Sequence, residues 1–357
     1  MKRYLALFLL LALLTGCGSV SPEKAHESIQ VIAMDTPMLL TAYGETATKA
    51  VYAAEDVIRE LDAQLSRTNP ESDVSRLNAA GGQEIQVGKA LQILLGMGLD
   101  CAAATDGAFD ITMAPIISAW GFTEDSFRVP DPSELETLLE SIHDPGMTLV
   151  TARDCVQITE GYSVDLGGIA KGYAADRVAE VFEENGVECA TAQLGGNVLA
   201  WGSRPDGDPW RIGLQDPNRP DNPEGFAGVL ALSNAFAVTS GDYQRFFEQD
   251  GKRYHHIIDP ATGYPADSGL RSVTVAASCE DVGGTFDLPG AMCDAFSTAL
   301  FVMGEEKALA FRDEWNAAPS NTPFDLILIT EDGRVVVTGD LDFTLDEESG
   351  YVLETVS

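Results

Sequence analysis

The chain has 357 residues, with 22 Lys or Arg against 56 Asp or Glu and a formal charge of −34. That charge repels phosphate backbones and excludes a nucleic-acid partner, and an anionic ligand would need local help from a metal ion, a lysine or backbone dipoles. Besides Cys17, the five cysteines Cys101, Cys155, Cys189, Cys279 and Cys293 form no Cys-x-x-Cys pair, which argues against zinc or thioredoxin-like chemistry and for small buried apolar roles.

In chain order, Lys2 and Arg3 precede an apolar run from Tyr4 to Leu14. The run is too short for a mature membrane span and reads as a signal-peptide core. It ends in Leu14-Thr15-Gly16-Cys17, which looks like a bacterial lipobox whose cysteine takes the lipid. Residues 1–16 are therefore expected to be a lipoprotein signal peptide, 17–30 a lipidated polar tether, and 31–357 one catalytic domain. The expected place is outside the cytoplasm, anchored to the bacterial cell membrane.

Val31–Tyr43 reads as a strand or a strand pair around Pro37. Val51, Ala54, Ile58, Leu61 and Leu65 fall at helical spacing, which predicts a helix over Glu45–Leu65. Ser66–Asn78 reads as a polar loop, Lys89–Ala104 as a helix closed by Asp106-Gly107, and Pro132–Ile142 as a third helix. From Met147 onward short strands dominate: Met147–Val150, Val156–Thr159, Cys189–Leu199, Trp210–Leu214, Gly228–Leu232, Ala237–Thr239 and Arg271–Ala277. A hairpin follows, Leu326–Thr330 with Val335–Thr338, turned by Glu331-Asp332-Gly333. Helices are expected at Ala170–Asn185 and Asp294–Met303. Strands joined in succession with helices against them predict an α+β fold with a largely antiparallel sheet.

The most informative stretch is Asp165-Leu166-Gly167-Gly168-Ile169-Ala170-Lys171-Gly172. A carboxylate, paired glycines and a lysine at a helix start let the backbone approach a phosphate and aim N–H groups at it. Further motifs follow: Leu194-Gly195-Gly196-Asn197, Thr239-Ser240-Gly241-Asp242-Tyr243, His255-His256-Ile257-Ile258-Asp259-Pro260-Ala261-Thr262-Gly263, and Asp294 with Thr298. In this order they resemble the FAD:protein FMN transferases, the ApbE-like flavin transferase family, from about Met34 to the last strands. The resemblance implies a T-fold type of α+β domain. It also implies a reaction in which FMN passes from FAD to a Thr or Ser hydroxyl of a target protein through a phosphoester bond, releasing AMP.

Asp294 and Thr298 stand at i and i+4, on one helix face, and offer the hard oxygen donors that suit Mg²⁺. By the family's pattern Gly168 adds a backbone carbonyl. Of the four histidines, His255 and His256 are adjacent, so in extended chain only one can enter a site. The resemblance selects His256, as general base or phosphate partner. Two tasks stand open for Asp165: a contact with the flavin, which the family suggests, or the base itself. Lys171 is a natural partner for the diphosphate. Residue matching also places Met34, Thr68, Ala108, Phe109, Asp110 and Ile258 around the cofactor, although Phe109 is equally a core residue. Asp35 stands where the family has glycine, and Cys279–Gly290 is longer and richer in glycine than usual. The implied acceptors are extracytoplasmic proteins of redox complexes. Two rival readings remain: an FAD pyrophosphatase giving FMN and AMP, and a non-catalytic flavin-binding lipoprotein.

Overall fold

The computed structural model describes residues 25–123, 126–143, 146–150, 153–222, 225–280 and 286–357. The expected signal peptide, Cys17 and most of the tether lie outside them, as do residues 281–285 of the long segment before the Asp294 helix. The folded chain begins earlier than expected. His26–Gln30, read as tether, belong to strand β1 (His26–Ala33), which pairs antiparallel with β2 (Thr36–Tyr43) over its whole length. β1 is an edge strand with alternate residues exposed, and a polar edge resembles a linker in sequence. The turn is Met34-Asp35, both left-handed at φ 49° and 56°, as a two-residue type I′ hairpin requires. Pro37 lies inside β2, opposite Ile32.

Helix α1 (Ala47–Leu65) buries the five apolar residues that predicted it. The polar stretch after it is not all loop. It contains α2 (Asp73–Asn78), started by Ser72, whose Oγ accepts the Ser75 N–H at 2.9 Å. There follow β3 (Ile85–Gln86), α3 (Lys89–Ala104), the unpredicted α4 (Ala114–Trp120), α5 (Pro132–Leu139), β4 (Thr148–Val150) and β5 (Cys155–Gln157). After α6 (Ala170–Glu184), the single strand expected at Cys189–Leu199 is a hairpin. Its arms β6 (Cys189–Leu194) and β7 (Asn197–Gly202) turn at Gly195-Gly196.

Strands β8 (Trp210–Gln215), β9 (Phe226–Leu232) and β10 (Ala235–Gly241) lead to a second unpredicted hairpin, β11 (Phe246–Gln249) with β12 (Lys252–His255). The chain closes with β13 (Leu270–Ser278), α7 (Pro289–Met303), α8 (Glu305–Ala317), β14 (Asp325–Thr330), β15 (Arg334–Thr338), β16 (Asp342–Leu345) and β17 (Val352–Val356).

Among the described residues the main sheet runs β1-β2-β6-β7-β10-β13-β14-β15-β17. Its pairs are antiparallel except β15 with β17. The α+β architecture is thus as predicted, but the strands do not complete one sheet, because β3-β5-β4 and β16-β9-β8 form two small ones. Helices α1, α6 and α7 lie side by side on one face of the main sheet. The principal core fills the space between them. On the other face, Leu214, Ala227 and Leu230 of β8 and β9 cover Ala237, Ile327, Ile329, Val335 and Val337. α7, wedged between sheet and α6, is buried on nearly every side, which explains why it is apolar all round but for Asp294, Ser297 and Thr298.

Candidate active site

Where α6 and α7 meet the start of β7, a cleft of about 1310 Å³ opens, larger than the roughly 300–1,000 Å³ usual for a small-molecule site. Every site residue named from the sequence within the described chain lines it: Met34, Thr68, Ala108, Phe109, Asp110, Asp165, Gly168, Lys171, His256, Ile258, Asp294 and Thr298.

One wall is the α6/α7 junction. Asp294 is buried within α7, and its Oδ2 accepts the Gly172 N–H at 2.9 Å while Oδ1 accepts Asn197 Nδ2 at 3.2 Å. Each carboxylate oxygen keeps a second lone pair. Thr298, one turn further, has its Oγ1 3.4 Å from Ser240 Oγ. A Cβ on Gly168 would lie 3.5 Å from Thr298 Oγ1 and 3.0 Å from the Phe109 ring, so the glycine turn rests directly over Thr298. Asn197 is buried, and its own Oδ1 has no protein partner. Among the described residues no three His, Cys, Asp or Glu side chains converge on one point. The donor set is therefore one carboxylate, a hydroxyl and backbone oxygen, which fits a Mg²⁺ ion that keeps waters and shares a ligand's phosphates.

α6 begins at Ile169 without a side-chain cap, but the Ala170 N–H goes to the Leu166 carbonyl at 2.9 Å and the Gly172 N–H to Asp294, so of its first turn at most the Lys171 N–H is left for an anion. Lys171 reaches back from that turn, its Nζ donating to the Gly167 carbonyl at 3.0 Å. Asp165, just before the glycines, accepts the Gly167 N–H at 2.7 Å and pairs with Arg67 Nε at 3.1 Å. Arg67 also donates through Nη1 to the Ala114 carbonyl at 2.8 Å. Of the two tasks left open for Asp165, orienting a ligand suits this bonding better than taking a proton.

The opposite wall comes from the segment after β12. The adjacent histidines do diverge. His255 turns into the core, where Nε2 meets the Ala266 carbonyl at 3.0 Å and the ring packs on Phe301. His256 lines the cleft, with Nδ1 3.1 Å from the Arg245 carbonyl. A carbonyl can only accept, so Nδ1 carries the proton and Nε2 is left as the acceptor. Burial, then the neighbouring His255, push this imidazole down to about 4, so it is neutral near pH 7. A neutral ring with a free Nε2 is a base rather than a phosphate-binding cation. Ile258 packs behind it, bridged to Pro265.

The remaining residues hold the rim. Asp110 is fully engaged: Oδ1 accepts from Thr112 N and Oγ1 at 2.7 and 2.6 Å, and Oδ2 meets His143 Nδ1 at 3.0 Å. Met34 sits at the β1–β2 tip, its N–H donating to Asp62 Oδ1 at 3.0 Å. Asp35, in place of the family glycine, keeps the left-handed backbone that glycine adopts freely and Asp tolerates. Thr68 stands on the rim with its Oγ1 3.1 Å from Ser66 Oγ. Reading the sequence gave no role to Arg67 or Asn197, although Asn197 closes a quoted motif and Arg67 stands next to Thr68. It also passed over Asp176, whose carboxylate accepts Gly290 N and Ala291 N at 2.7 and 2.8 Å. Burial pushes the Asp176 carboxyl up, while the two N–H donors, which together need both oxygens as acceptors, pull it down and hold it as the carboxylate.

Taken together, these features describe an α+β protein that sets a helix start bearing a lysine, a buried carboxylate and a neutral imidazole around one large cleft. The family model for the ApbE family matches residues 34–318, and the chain belongs to that family. It is 31% identical to the FAD:protein FMN transferase of Treponema pallidum, over 95% of this chain and 94% of that one. It is 32% identical to the enzyme of that name in Klebsiella pneumoniae, over 87% and 91%. Its fold matches the crystal structure of the ApbE protein of Thermotoga maritima with a TM-score of 0.76 at 29% identity, covering 91% and 98% of the two chains.

Proposed function

We propose that the chain is an FAD:protein FMN transferase that forms a phosphoester bond to a Thr or Ser hydroxyl and releases AMP. The observation that carries this reading is the meeting of Lys171, His256, Asp294 and Thr298 in one cleft of an ApbE-family fold. In it, the diphosphate of FAD lies at the start of α6, where Lys171 and the positive end of the helix dipole offset its charge. Asp165, steadied by Arg67, orients the ligand together with the rim residues Met34, Thr68, Ala108, Phe109 and Asp110. Asp294, Thr298 and the Gly168 carbonyl hold a Mg²⁺ ion, which when bound supplies charge neutralisation at the diphosphate. His256 Nε2 accepts the proton of the acceptor hydroxyl. The hydroxyl oxygen then bonds to the FMN phosphorus, and the bond to the AMP phosphate breaks.

The lipobox-like Leu14-Thr15-Gly16-Cys17 supports, on this reading, a lipid-anchored enzyme outside the cytoplasm that acts on extracytoplasmic subunits of redox complexes. Incubation with FAD, Mg²⁺ and such an acceptor tests the proposal by mass spectrometry. The acceptor should gain the mass of FMN less water, with AMP released in equal amount. Free FMN without adduct would replace transfer by hydrolysis, and intact FAD would leave only binding.

A further inference from the structure

Two pairs with the same spacing, Gly172 with Asp176 on α6 and Gly290 with Asp294 on α7, face one another. Asp176 accepts the N–H groups of Gly290 and Ala291, and Asp294 accepts the N–H of Gly172. The glycines let the two backbones touch. A Cβ on Gly172 would stand 2.2 Å from the Gly290 carbonyl oxygen and 2.7 Å from Asp294 Cβ. One on Gly290 would stand 2.6 Å from the Gly172 carbonyl oxygen and 2.8 Å from Asp176 Oδ1. Each pair sits one helical turn apart, so the clamp grips at two successive turns.

The other end groups explain why Asp176 matters. α7 starts at Leu288 and Pro289 without a side-chain cap and without an acidic residue in its first turn. Asp176 is thus a cap delivered from a neighbouring helix, satisfying two donors that would otherwise be buried unpaired. Asp294 lies one turn beyond that capped end, on the same helix.

We propose that Asp176 is a positioning residue for the cation site: by capping α7 across the glycine contact, it fixes where the Asp294 carboxylate stands relative to α6. This rests on the reading of Asp294 and Thr298 as cation ligands. Partners behind a metal ligand typically set affinity by about 10–100-fold, so Asp176→Asn should weaken cation binding by that factor. The amide offers only one acceptor and turns an NH₂ toward a backbone N–H. KM for FAD at saturating Mg²⁺ should change little.

The test is a titration of the full chain with Mn²⁺, followed by electron paramagnetic resonance, which needs no turnover. Wild type should bind one ion, Asp176→Asn should bind it more weakly, and excess Mg²⁺ should restore the variant's activity. Val335→Ala, a β15 variant in the separate core on the face of the sheet away from α6 and α7, provides a comparison with lowered melting temperature; it should keep wild-type Mn²⁺ affinity. Equal Mn²⁺ affinity in wild type and Asp176→Asn overturns the clamp while leaving the cation site standing. No Mn²⁺ binding by wild type overturns both. Should Asp176→Asn fail to fold, hydrogen exchange in wild type decides. Mg²⁺ should slow exchange in the 286–292 peptide, which contains no cation ligand, and unchanged exchange there overturns the proposal.

Discussion

The two walls of the cleft are built on opposite principles. On one side α6 and α7 meet backbone to backbone through Gly172 and Gly290, with buried carboxylates spanning the contact. On the other, α4, the β11–β12 hairpin and the loop after it meet through rings: Trp120 lies 5.4 Å from Tyr254 and 5.7 Å from Tyr264, and Phe247 stacks on Tyr254 at 5.3 Å. Backbone contact has almost no slack, whereas aromatic packing can re-pack at modest cost. The candidate cation ligands Asp294 and Thr298 stand on the first wall, where tenths of an ångström are held.

Asp294→Ala breaks this comparison most severely. Cation-dependent turnover should fall by more than about 100-fold, beyond the usual loss for an outer-shell partner, while circular dichroism stays native. Undiminished turnover would place the cation elsewhere. His256→Gln comes next, with an expected loss of about 10²–10⁴-fold in kcat, the usual worth of a positioned base. Its pH dependence is more telling than its size. The imidazole of the folded protein is depressed to about 4, below the ordinary value near 6.5. The neutral form therefore persists down to that pH, and the acid limb of kcat/KM should fall near 4, and vanish in the variant. A wild-type limb near 6.5 would contradict the assigned environment. The stability linkage has the matching sign: the depressed value favours folding above about 6.5 and loses that contribution as pH falls toward 4.

Gly290→Ala probes the tight wall by thermal unfolding. A methyl group forced against the Gly172 carbonyl should cost about 1–3 kcal/mol or more and should weaken Mn²⁺ binding as well. Trp120→Phe probes the ring wall. It removes the Nε1–H bond to the Gly263 carbonyl, 2.7 Å long, for a cost of about 1–3 kcal/mol, yet Mn²⁺ affinity should stay as in wild type. If both variants shift cation binding alike, the contrast between the walls fails. The smallest effect is expected for Asp35→Gly at the β1–β2 tip. Relief of the left-handed backbone is offset by a freer unfolded chain, so denaturant midpoints should agree to within about 0.5 kcal/mol.

The site was more legible than the fold around it. Its residues cluster in short motifs whose chemistry survives without knowledge of tertiary contacts, and the i, i+4 pairing of Asp294 with Thr298 needs only helix geometry. Asp176 was hidden because its partners are backbone N–H groups 114 and 115 positions away, which side-chain identity cannot announce. Arg67 and Asn197 were visible but mute, since their value lies in whom they touch. Among the strands, β17 is exposed along most of its length and pairs in parallel with β15, so it carries no alternation to read. The β11–β12 hairpin did leave a signal, Asp250-Gly251, with φ 54° and 77°, and that turn was passed over. At β1 the exposed edge made a strand resemble a tether.

The charge of the chain gives the cleft an unusual relation to its surroundings. Arg67, Lys171 and Arg245 line the interior, while the molecule as a whole carries −34, so an anionic nucleotide meets repulsion at long range and attraction only at the threshold. Dissolved electrolyte trims the distant field first, because its reach shrinks to about 8 Å at physiological ionic strength. Moderate salt should therefore hasten nucleotide capture, the reverse of what electrostatic steering produces, and such an enzyme is better matched to brine than to fresh water.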